Sequence, residues 1–201
     1  MILSSIRPFG RKQPDTDAKL ILLIVEGEKR EYQYFSYFSE MDTRINLQII
    51  SPDGGGNTSP TEMIAKVEQL IRPGPNGETP KYQLLEGNEI WFVIDTDDWG
   101  DDIDKLRAYT IERDDMNVAQ SNVCFEVWLC FHFSPERQNF NGMHTAQGWK
   151  DHLNEVVKPG GFDSQRHPLM IKSAIDAAAE NYQEEDDRPL LASTQVFRLG
   201  N

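Results

Sequence analysis

The chain has 201 residues, which is enough for one domain with a substantial core, whereas two domains sharing this length would each be cramped. Hydrophobic residues (38%) and aromatic residues (10%) favour a packed globule over disorder, and no apolar run approaches the roughly 20 residues that a membrane helix needs. The formal net charge of −13 argues against broad nonspecific DNA binding, because an acidic surface repels phosphate.

The N-terminal segment, residues 1–19, carries basic residues among proline and polar residues, without helical or strand periodicity. We expect a flexible arm, which is either a solvated terminus or a basic tail that touches nucleic acid or a partner. No apolar stretch precedes Leu20, so no secretory signal is predicted and the cytoplasm is the expected location. Residues 20–201 are predicted to form one domain, with a core at 20–133 and a helical C-terminal extension at 134–201.

The cysteines and histidines do not predict a metal site. Cys124 and Cys130 are too few for a disulfide framework or a four-ligand zinc site, and we interpret both as core thiols. The four histidines lack the His-Glu-x-x-His spacing that places two ligands on one helical face. His132 lies in an apolar segment and is interpreted as a core histidine rather than as a catalytic one.

Two apolar runs end in acidic residues. Residues 20–25 are continuously apolar and stop at Glu26, which is typical of a strand buried on both faces of a parallel sheet. Residues 90–94 stop in the same way at Asp95, and Asp97 follows two positions later. In open α/β sheets ligands bind at the carboxyl ends of the strands, so Glu26, Asp95 and Asp97 are expected to converge on one sheet edge.

Three carboxylates at one edge predict a bound cation. Glu26, Asp95 and Asp97 would repel one another unless a positive ion lay among them. Hard oxygen ligands with no nearby His or Cys suit Mg²⁺ or Mn²⁺ rather than Zn²⁺. The sequence therefore predicts a site for one or two Mg²⁺ or Mn²⁺ ions.

A glycine run follows the predicted second strand at 45–50. Gly54, Gly55 and Gly56 permit positive φ and a close approach of backbone N–H groups to a phosphate. Residues 59–62, Ser-Pro-Thr-Glu, read as a helix start, so the loop would bring a helix N-terminus toward the same sheet edge. A structural turn and a cradle for substrate phosphate are both open interpretations.

Helical patterns surround the two acidic strand ends. Aromatic residues and Met41 recur at helical spacing over 34–41 and predict a helix that packs on the sheet. The stretch 124–133 is apolar nearly all round, which is typical of a buried helix, and it contains Glu126. A buried carboxylate must be paired, protonated or metal-bound, so Glu126 is either a ligand that supports the site or half of a buried ion pair. Lys29 follows Glu26 closely and is either a phosphate contact or a surface lysine.

Three stretches in this order resemble the RloB-like family of bacterial defence proteins: VEGEK at 25–29, DTDD at 95–98 and SNVCFEVWL at 121–129. The Glu-Gly turn and the Asp-x-Asp motif also resemble the Toprim fold of topoisomerases, primases and OLD-family nucleases. The likeness spans residues 20–133, with weaker echoes near Lys158 and at 194–199. Arg30 stands where the family usually has Thr, and Val123 where it commonly has Pro.

The resemblance implies an α/β, Toprim-like fold with a mostly parallel central sheet, helices on both faces and extra C-terminal helices. It implies a Mg²⁺-dependent nuclease that hydrolyses RNA or DNA in antiphage defence together with an ATPase partner. Glu26, Asp95 and Asp97 would hold the metal, with Glu126 supporting catalysis. Lys158 echoes a basic residue of the family, and it either stabilises a leaving-group phosphate or is a helix C-terminal cation.

The alternative function uses the same acidic edge without catalysis. A toxin or sensor subunit would bind Mg²⁺ there with a nucleotide or a partner protein. Retention of every proposed ligand favours the enzyme. Primer synthesis and strand passage, which other Toprim proteins carry out, are disfavoured because the chain lacks the zinc-ribbon cysteines and the tyrosine-bearing cleavage domain that such a resemblance implies.

Overall fold

The computed structural model describes residues 17–39, 41–52, 58–96, 99–136 and 143–200. In that part of the chain the strands are Lys19–Val25 (β1), Ile45–Ile50 (β2), Glu89–Asp95 (β3), Met116–Asn122 (β4), Glu184–Glu185 (β5), Arg188–Pro189 (β6) and Ser193–Thr194 (β7). The α-helices are Arg30–Ser36 (α1), Pro60–Ile71 (α2), Asp101–Ile111 (α3), Glu126–Cys130 (α4), Ala146–Val156 (α5) and Ile171–Asn181 (α6). Short 3₁₀ helices cover His167–Met170 and Val196–Gly200.

The central sheet has five strands in the order β2-β1-β3-β4-β7. The first four are parallel, and only β7 runs antiparallel, beside β4. The predicted mostly parallel α/β sheet is therefore confirmed. Since β1 and β3 are neighbours with Val25 opposite Val93, the residues that follow these two strands emerge side by side at one edge.

The sheet is buried on both faces, as the continuous apolar runs predict. Alternate residues of β1 point to opposite sides: Leu22 and Ile24 pack with α2 and α3, whereas Leu23 and Val25 pack with α1, α4, α5 and α6. The predicted helices on both faces are thus confirmed. None of the described helices is long and apolar enough to cross a membrane.

One predicted helix begins where expected, and two others are shorter than their apolar patterns predict. Helix α2 begins as predicted, with Ser59 as its N-cap and a reciprocal capping box to Glu62. The predicted helix over 34–41 is wrong in its length, because α1 ends at Ser36 and Met41 is 47% exposed. Its aromatic pattern continues through a turn, in which the Phe38 N–H donates to the Phe35 carbonyl, and this turn returns the chain to β2. The buried helix is likewise shorter than its apolar pattern, since α4 covers only Glu126–Cys130.

The C-terminal part contains the predicted extra helices, α5 and α6, but it is not helical throughout. The acidic segment 184–188 takes part in the β5–β6 hairpin. Its acids remain exposed, yet Asp187 lies 3.0 Å from both Arg107 and Arg198. Strand β7 then adds to the sheet at the open edge of β4, where it gives partners to backbone groups that would otherwise lack them.

Candidate metal centre at the carboxyl ends of the central strands

Glu26 and Asp95 meet at the carboxyl ends of β1 and β3. The Glu26 side chain is only 2% exposed, and its Oε2 accepts a hydrogen bond of 2.8 Å from the Asp95 backbone N–H. The Glu26 backbone N–H donates to the Val93 carbonyl at 3.1 Å, which continues the ladder between the two strands by one step. The predicted convergence of these two acids is confirmed.

The buried Glu26 carboxylate has a second donor. Its Oε1 accepts a hydrogen bond of 3.1 Å from the Trp99 indole N–H, so both carboxylate oxygens accept from the protein. These two bonds offset the cost of burying the charge, and they fix the orientation of the carboxylate.

The loop after β2 reaches the same edge. The Thr58 N–H donates to the Glu26 carbonyl at 3.4 Å, and Ser59 begins α2 directly afterwards. The start of α2 therefore lies beside the end of β1, as the sequence predicts. Gly54, Gly55 and Gly56, the proposed phosphate cradle, lie outside the described residues, and the choice between turn and cradle stays a prediction.

The donor chemistry of the described edge fits a hard divalent cation. Glu26 and Asp95 supply carboxylate oxygens, which Mg²⁺ and Mn²⁺ prefer. The third predicted ligand, Asp97, lies outside the described residues. Among the residues that are described, no group of three or more His, Cys, Asp and Glu side chains could hold a metal ion. The described structure thus brings together two of the three predicted ligands.

Glu126 is buried beside this edge. It is 4% exposed at the start of α4, and its Oε1 lies 3.6 Å from the Arg30 Nε. The sequence predicted either a supporting ligand or half of a buried ion pair for Glu126, and this contact is such an ion pair. Burial raises the pKa of the Cys124 thiol, and the negative charges of Glu126 and Asp95 raise that pKa further. Cys124 therefore lies within electrostatic reach of both acids.

Glu31 is a third buried acid near this edge, and it was not among the residues predicted for the site. It is 8% exposed in the first turn of α1, and a Cβ atom added at Gly27 would collide with its carboxylate. Burial raises the pKa of Glu31, the neighbouring charge of Glu126 raises it further, and Arg30 and Lys150 lower it. In the sequence, only the short separation from Glu26 indicates that Glu31 could belong to the site. The favourable interaction of an acid with the helix dipole explains Glu31 at that position equally well.

The two candidate lysines lie on the surface. Lys29 is exposed at the N-cap of α1, close in sequence to Glu26, and Lys158 is exposed directly after the end of α5. Their roles in phosphate binding stay predictions.

His132 is a core residue, as predicted. It is 4% exposed, its Nε2 lies 3.1 Å from the Tyr34 hydroxyl, and its Nδ1 lies 3.3 Å from the Trp128 carbonyl. Burial lowers the pKa of His132 to about 4. The imidazole is therefore neutral at pH 7, and it packs edge-on against Tyr34, Trp128 and Phe162.

This burial predicts a loss of stability in acid. Because the pKa of His132 is about 4 in the folded chain and 6.5 without burial, the unfolded chain binds more protons between these values. The stabilisation is complete above pH 6.5 and is lost as the pH falls toward 4. Between pH 7 and pH 4 the wild type should lose about 3 kcal/mol more unfolding free energy than His132→Gln. Urea denaturation at the two pH values measures this difference. The exposed His144→Gln is the control, and an equal pH dependence in all three proteins would contradict the prediction.

An apolar cavity lies elsewhere in the fold. Its volume is about 250 Å³, and its walls include Leu23, Leu47 and Ile175. Neither Glu26 nor Asp95 lines it, so it does not belong to the acidic edge.

The chain matches a known protein family over nearly its whole length. The sequence model of a family described as RloB-like protein matches residues 21–199, which is nearly the whole chain. No curated protein and no solved structure matches the chain significantly.

Proposed function

The chain belongs to the RloB-like protein family, and from this premise we propose that it is a Mg²⁺-dependent nuclease of Toprim type. It hydrolyses phosphodiester bonds of RNA or DNA in antiphage defence, in the cytoplasm. The parallel order β2-β1-β3-β4, with acids after the two central strands, supports the Toprim-like assignment.

One observation carries the proposal. The hydrogen bond of 2.8 Å between the Asp95 N–H and Glu26 Oε2 joins two acids that are 69 residues apart in the chain. The buried Glu26 carboxylate lies at the edge where α/β proteins bind ligands, so its negative charge is placed where a cation can bind. In the proposal a divalent cation is held there by Glu26, Asp95 and Asp97.

The residues around this edge have distinct roles in the proposal. Glu26, Asp95 and Asp97 hold one or two Mg²⁺ or Mn²⁺ ions, and bound metal supplies an activated water and stabilises the leaving oxygen. Glu126 supports the site from α4. Its charge and that of Asp95 both raise the pKa of the Cys124 thiol, so the two acids lie near the same group. Lys29, the glycines at 54–56 and Lys158 bind substrate phosphate.

Because the chain is acidic, the proposal includes a partner protein that helps it to bind nucleic acid. With a net charge of −13, the chain as a whole repels the phosphates of nucleic acid. In the proposal an ATPase partner supplies the basic surface that brings substrate to the acidic edge.

The test is cleavage by purified protein. The substrates are tRNA, single-stranded DNA and duplex DNA, with Mg²⁺, with Mn²⁺ and with EDTA, and each mixture is run with and without the ATPase partner. We expect cleavage that EDTA stops and that Asp95→Asn reduces about 100-fold or more, since loss even of an outer-shell group costs 10- to 100-fold. The control is Asp101→Asn, because Asp101 is exposed at the start of α3.

Three outcomes decide between the functions. Unchanged cleavage by Asp95→Asn would mean that the assigned site is wrong. Metal binding without cleavage of any substrate would support the non-catalytic subunit that binds a nucleotide or a partner. Cleavage that requires both the metal and Asp95 would support the nuclease.

A further inference from the structure

A chain of side-chain hydrogen bonds runs from α3 to the residue that follows Asp95. Arg107 Nη2 donates to Gln120 Oε1 at 2.7 Å, and Gln120 Nε2 donates to Thr96 Oγ1 at 3.0 Å. The Thr96 hydroxyl in turn donates to the Ser121 carbonyl at 2.9 Å. We call Arg107, Gln120 and Thr96 the polar relay.

The direction of the relay is fixed by chemistry. A guanidinium can only donate hydrogen bonds, so Arg107 holds the oxygen of the Gln120 amide and turns its NH₂ group toward Thr96. The Gln120 NH₂ group can only donate and the Ser121 carbonyl can only accept, so the Thr96 hydroxyl accepts from Gln120 and donates its proton to Ser121. Without Arg107 the amide of Gln120 could rotate, and Thr96 would lose its donor.

The centre of the relay, Gln120, is buried, and Gln195 and Asp187 anchor its Arg107 end. Gln120 is 3% exposed and Gln195 is 0% exposed. Gln195 Oε1 accepts from the Gln120 backbone N–H at 3.2 Å and from Arg107 at 3.3 Å, while its Nε2 donates to the Asp187 carbonyl at 2.8 Å. Arg107 also pairs with the Asp187 carboxylate. The β5–β6 hairpin thereby holds Arg107 in place.

The relay ends at the proposed metal site. Thr96 lies between Asp95 and Asp97 in the sequence, and its backbone N–H donates to the carbonyls of Ser121 and Val123 at 2.8 and 3.2 Å. Asp95 is the last residue of β3, and its own N–H donates to Glu26. Fixing the Thr96 side chain therefore fixes the backbone from which Asp95 projects.

We propose that Arg107 and Gln120 are positioning residues that hold the Asp95–Thr96 segment in the geometry needed for divalent cation binding. This inference rests on the proposed function, because it assigns the pair a task at that metal site. Neither residue touches the metal or the substrate. Their contribution is to reduce the conformational freedom that metal binding would otherwise have to remove.

The first measurement is Mn²⁺ affinity by calorimetry and electron paramagnetic resonance, without nucleic acid. Arg107→Met, Gln120→Glu and Thr96→Val should each raise the Mn²⁺ dissociation constant about tenfold, within the 10- to 100-fold range of outer-shell effects. Thr96→Ser keeps the hydroxyl and should bind as the wild type does. The double variant of Arg107→Met and Thr96→Val should bind no more weakly than either single variant, because the relay acts as one unit.

Gln120→Glu separates positioning from general stability. A carboxylate at 120 keeps the bond from Arg107 as an ion pair, but it has no proton to donate to Thr96. A purely structural role predicts a lower melting temperature with unchanged Mn²⁺ affinity in the folded protein. The positioning role predicts a weaker Mn²⁺ affinity with an unchanged melting temperature. Arg113→Met is the matched control, since Arg113 is a half-exposed arginine that pairs with Asp115.

The second measurement needs no metal. Amide hydrogen exchange at Thr96 should become about tenfold faster in Arg107→Met and Gln120→Glu, and should stay unchanged in Arg113→Met. Unchanged exchange at Thr96, or wild-type Mn²⁺ affinity in all three relay variants, overturns the inference. Failure of the wild type to bind Mn²⁺, or wild-type affinity in Asp95→Asn, overturns the proposed metal site instead, whatever the exchange rates.

Discussion

Glu26→Gln should strongly reduce metal-dependent cleavage and also destabilise the fold. The wild-type carboxylate accepts from two fixed donors, the Asp95 N–H and the Trp99 indole N–H. A glutamine amide has one oxygen and one NH₂ group, so either orientation points a donor at a donor in a site that is 2% exposed. We expect a loss of about 2 kcal/mol of unfolding free energy and a fall in cleavage rate of about 100-fold or more.

The control separates the lost charge from the lost hydrogen bond. Asp95→Asn removes one negative charge from the same edge without disturbing either donor to Glu26, so it should reduce cleavage with little change in stability. Adding Trp99→Phe to Glu26→Gln removes the conflicting indole donor, and the double variant should be more stable than the sum of the two single changes predicts. Cleavage should stay strongly reduced.

Urea denaturation and cleavage at saturating Mg²⁺ measure the two effects. If Glu26→Gln kept wild-type stability, the two hydrogen bonds would not hold this carboxylate in solution. If it kept wild-type cleavage, Glu26 would not belong to the site.

The candidate site was predictable where the chemistry is local in sequence. When an acidic residue directly follows a buried apolar run, the run predicts a strand, and the acid must lie at the carboxyl end of that strand. Two such strands, β1 and β3, were enough to predict that Glu26 and Asp95 meet. The start of α2 was predictable for the same reason, since the cap, the proline and Glu62 are contiguous.

The rest of the site depends on contacts between distant residues. Arg107, Gln120 and Gln195 have no common motif, and a polar residue such as Gln120 inside β4 could face water as well as the core. Only the packing of α3 and the β5–β6 hairpin around β4 brings the three together. The shared surroundings of Glu31 and Glu126 arise similarly, from two helices that lie on one face of the sheet.

Helix ends were mispredicted because an apolar pattern records burial rather than backbone conformation. The aromatic spacing over 34–41 continues past the end of α1 at Ser36, since Phe38 packs against the core from a turn. The stretch around α4 is buried from Cys124 to His132, yet only five of its residues are helical. Burial was predicted correctly for 124–132 and for Tyr34 and Phe35, whereas Met41 is exposed, and the hydrogen-bond pattern was mispredicted in both places.

Ile90→Ala should be among the most destabilising single substitutions in the chain. Ile90 is 0% exposed in β3, which lies between β1 and β4 and is covered on both faces. Truncation removes three buried carbon atoms and leaves a cavity that a central strand cannot close by moving, so we expect a loss of about 4 kcal/mol. Ile111→Ala is the matched control, because Ile111 is 85% exposed at the end of α3 and should change stability by less than about 0.5 kcal/mol.

This prediction also tests whether the sheet supports the site. Ile90 lies five residues before Asp95 on the same strand, at the opposite end from the acidic edge. At a temperature where Ile90→Ala is fully folded, its Mn²⁺ affinity should equal that of the wild type, since the truncation removes no contact of Glu26, Asp95 or Thr96. Urea denaturation with the metal titration measures both quantities. A loss of affinity in the folded variant would mean that the packing of β3, and not only the hydrogen bonds at its carboxyl end, sets the geometry of the acids.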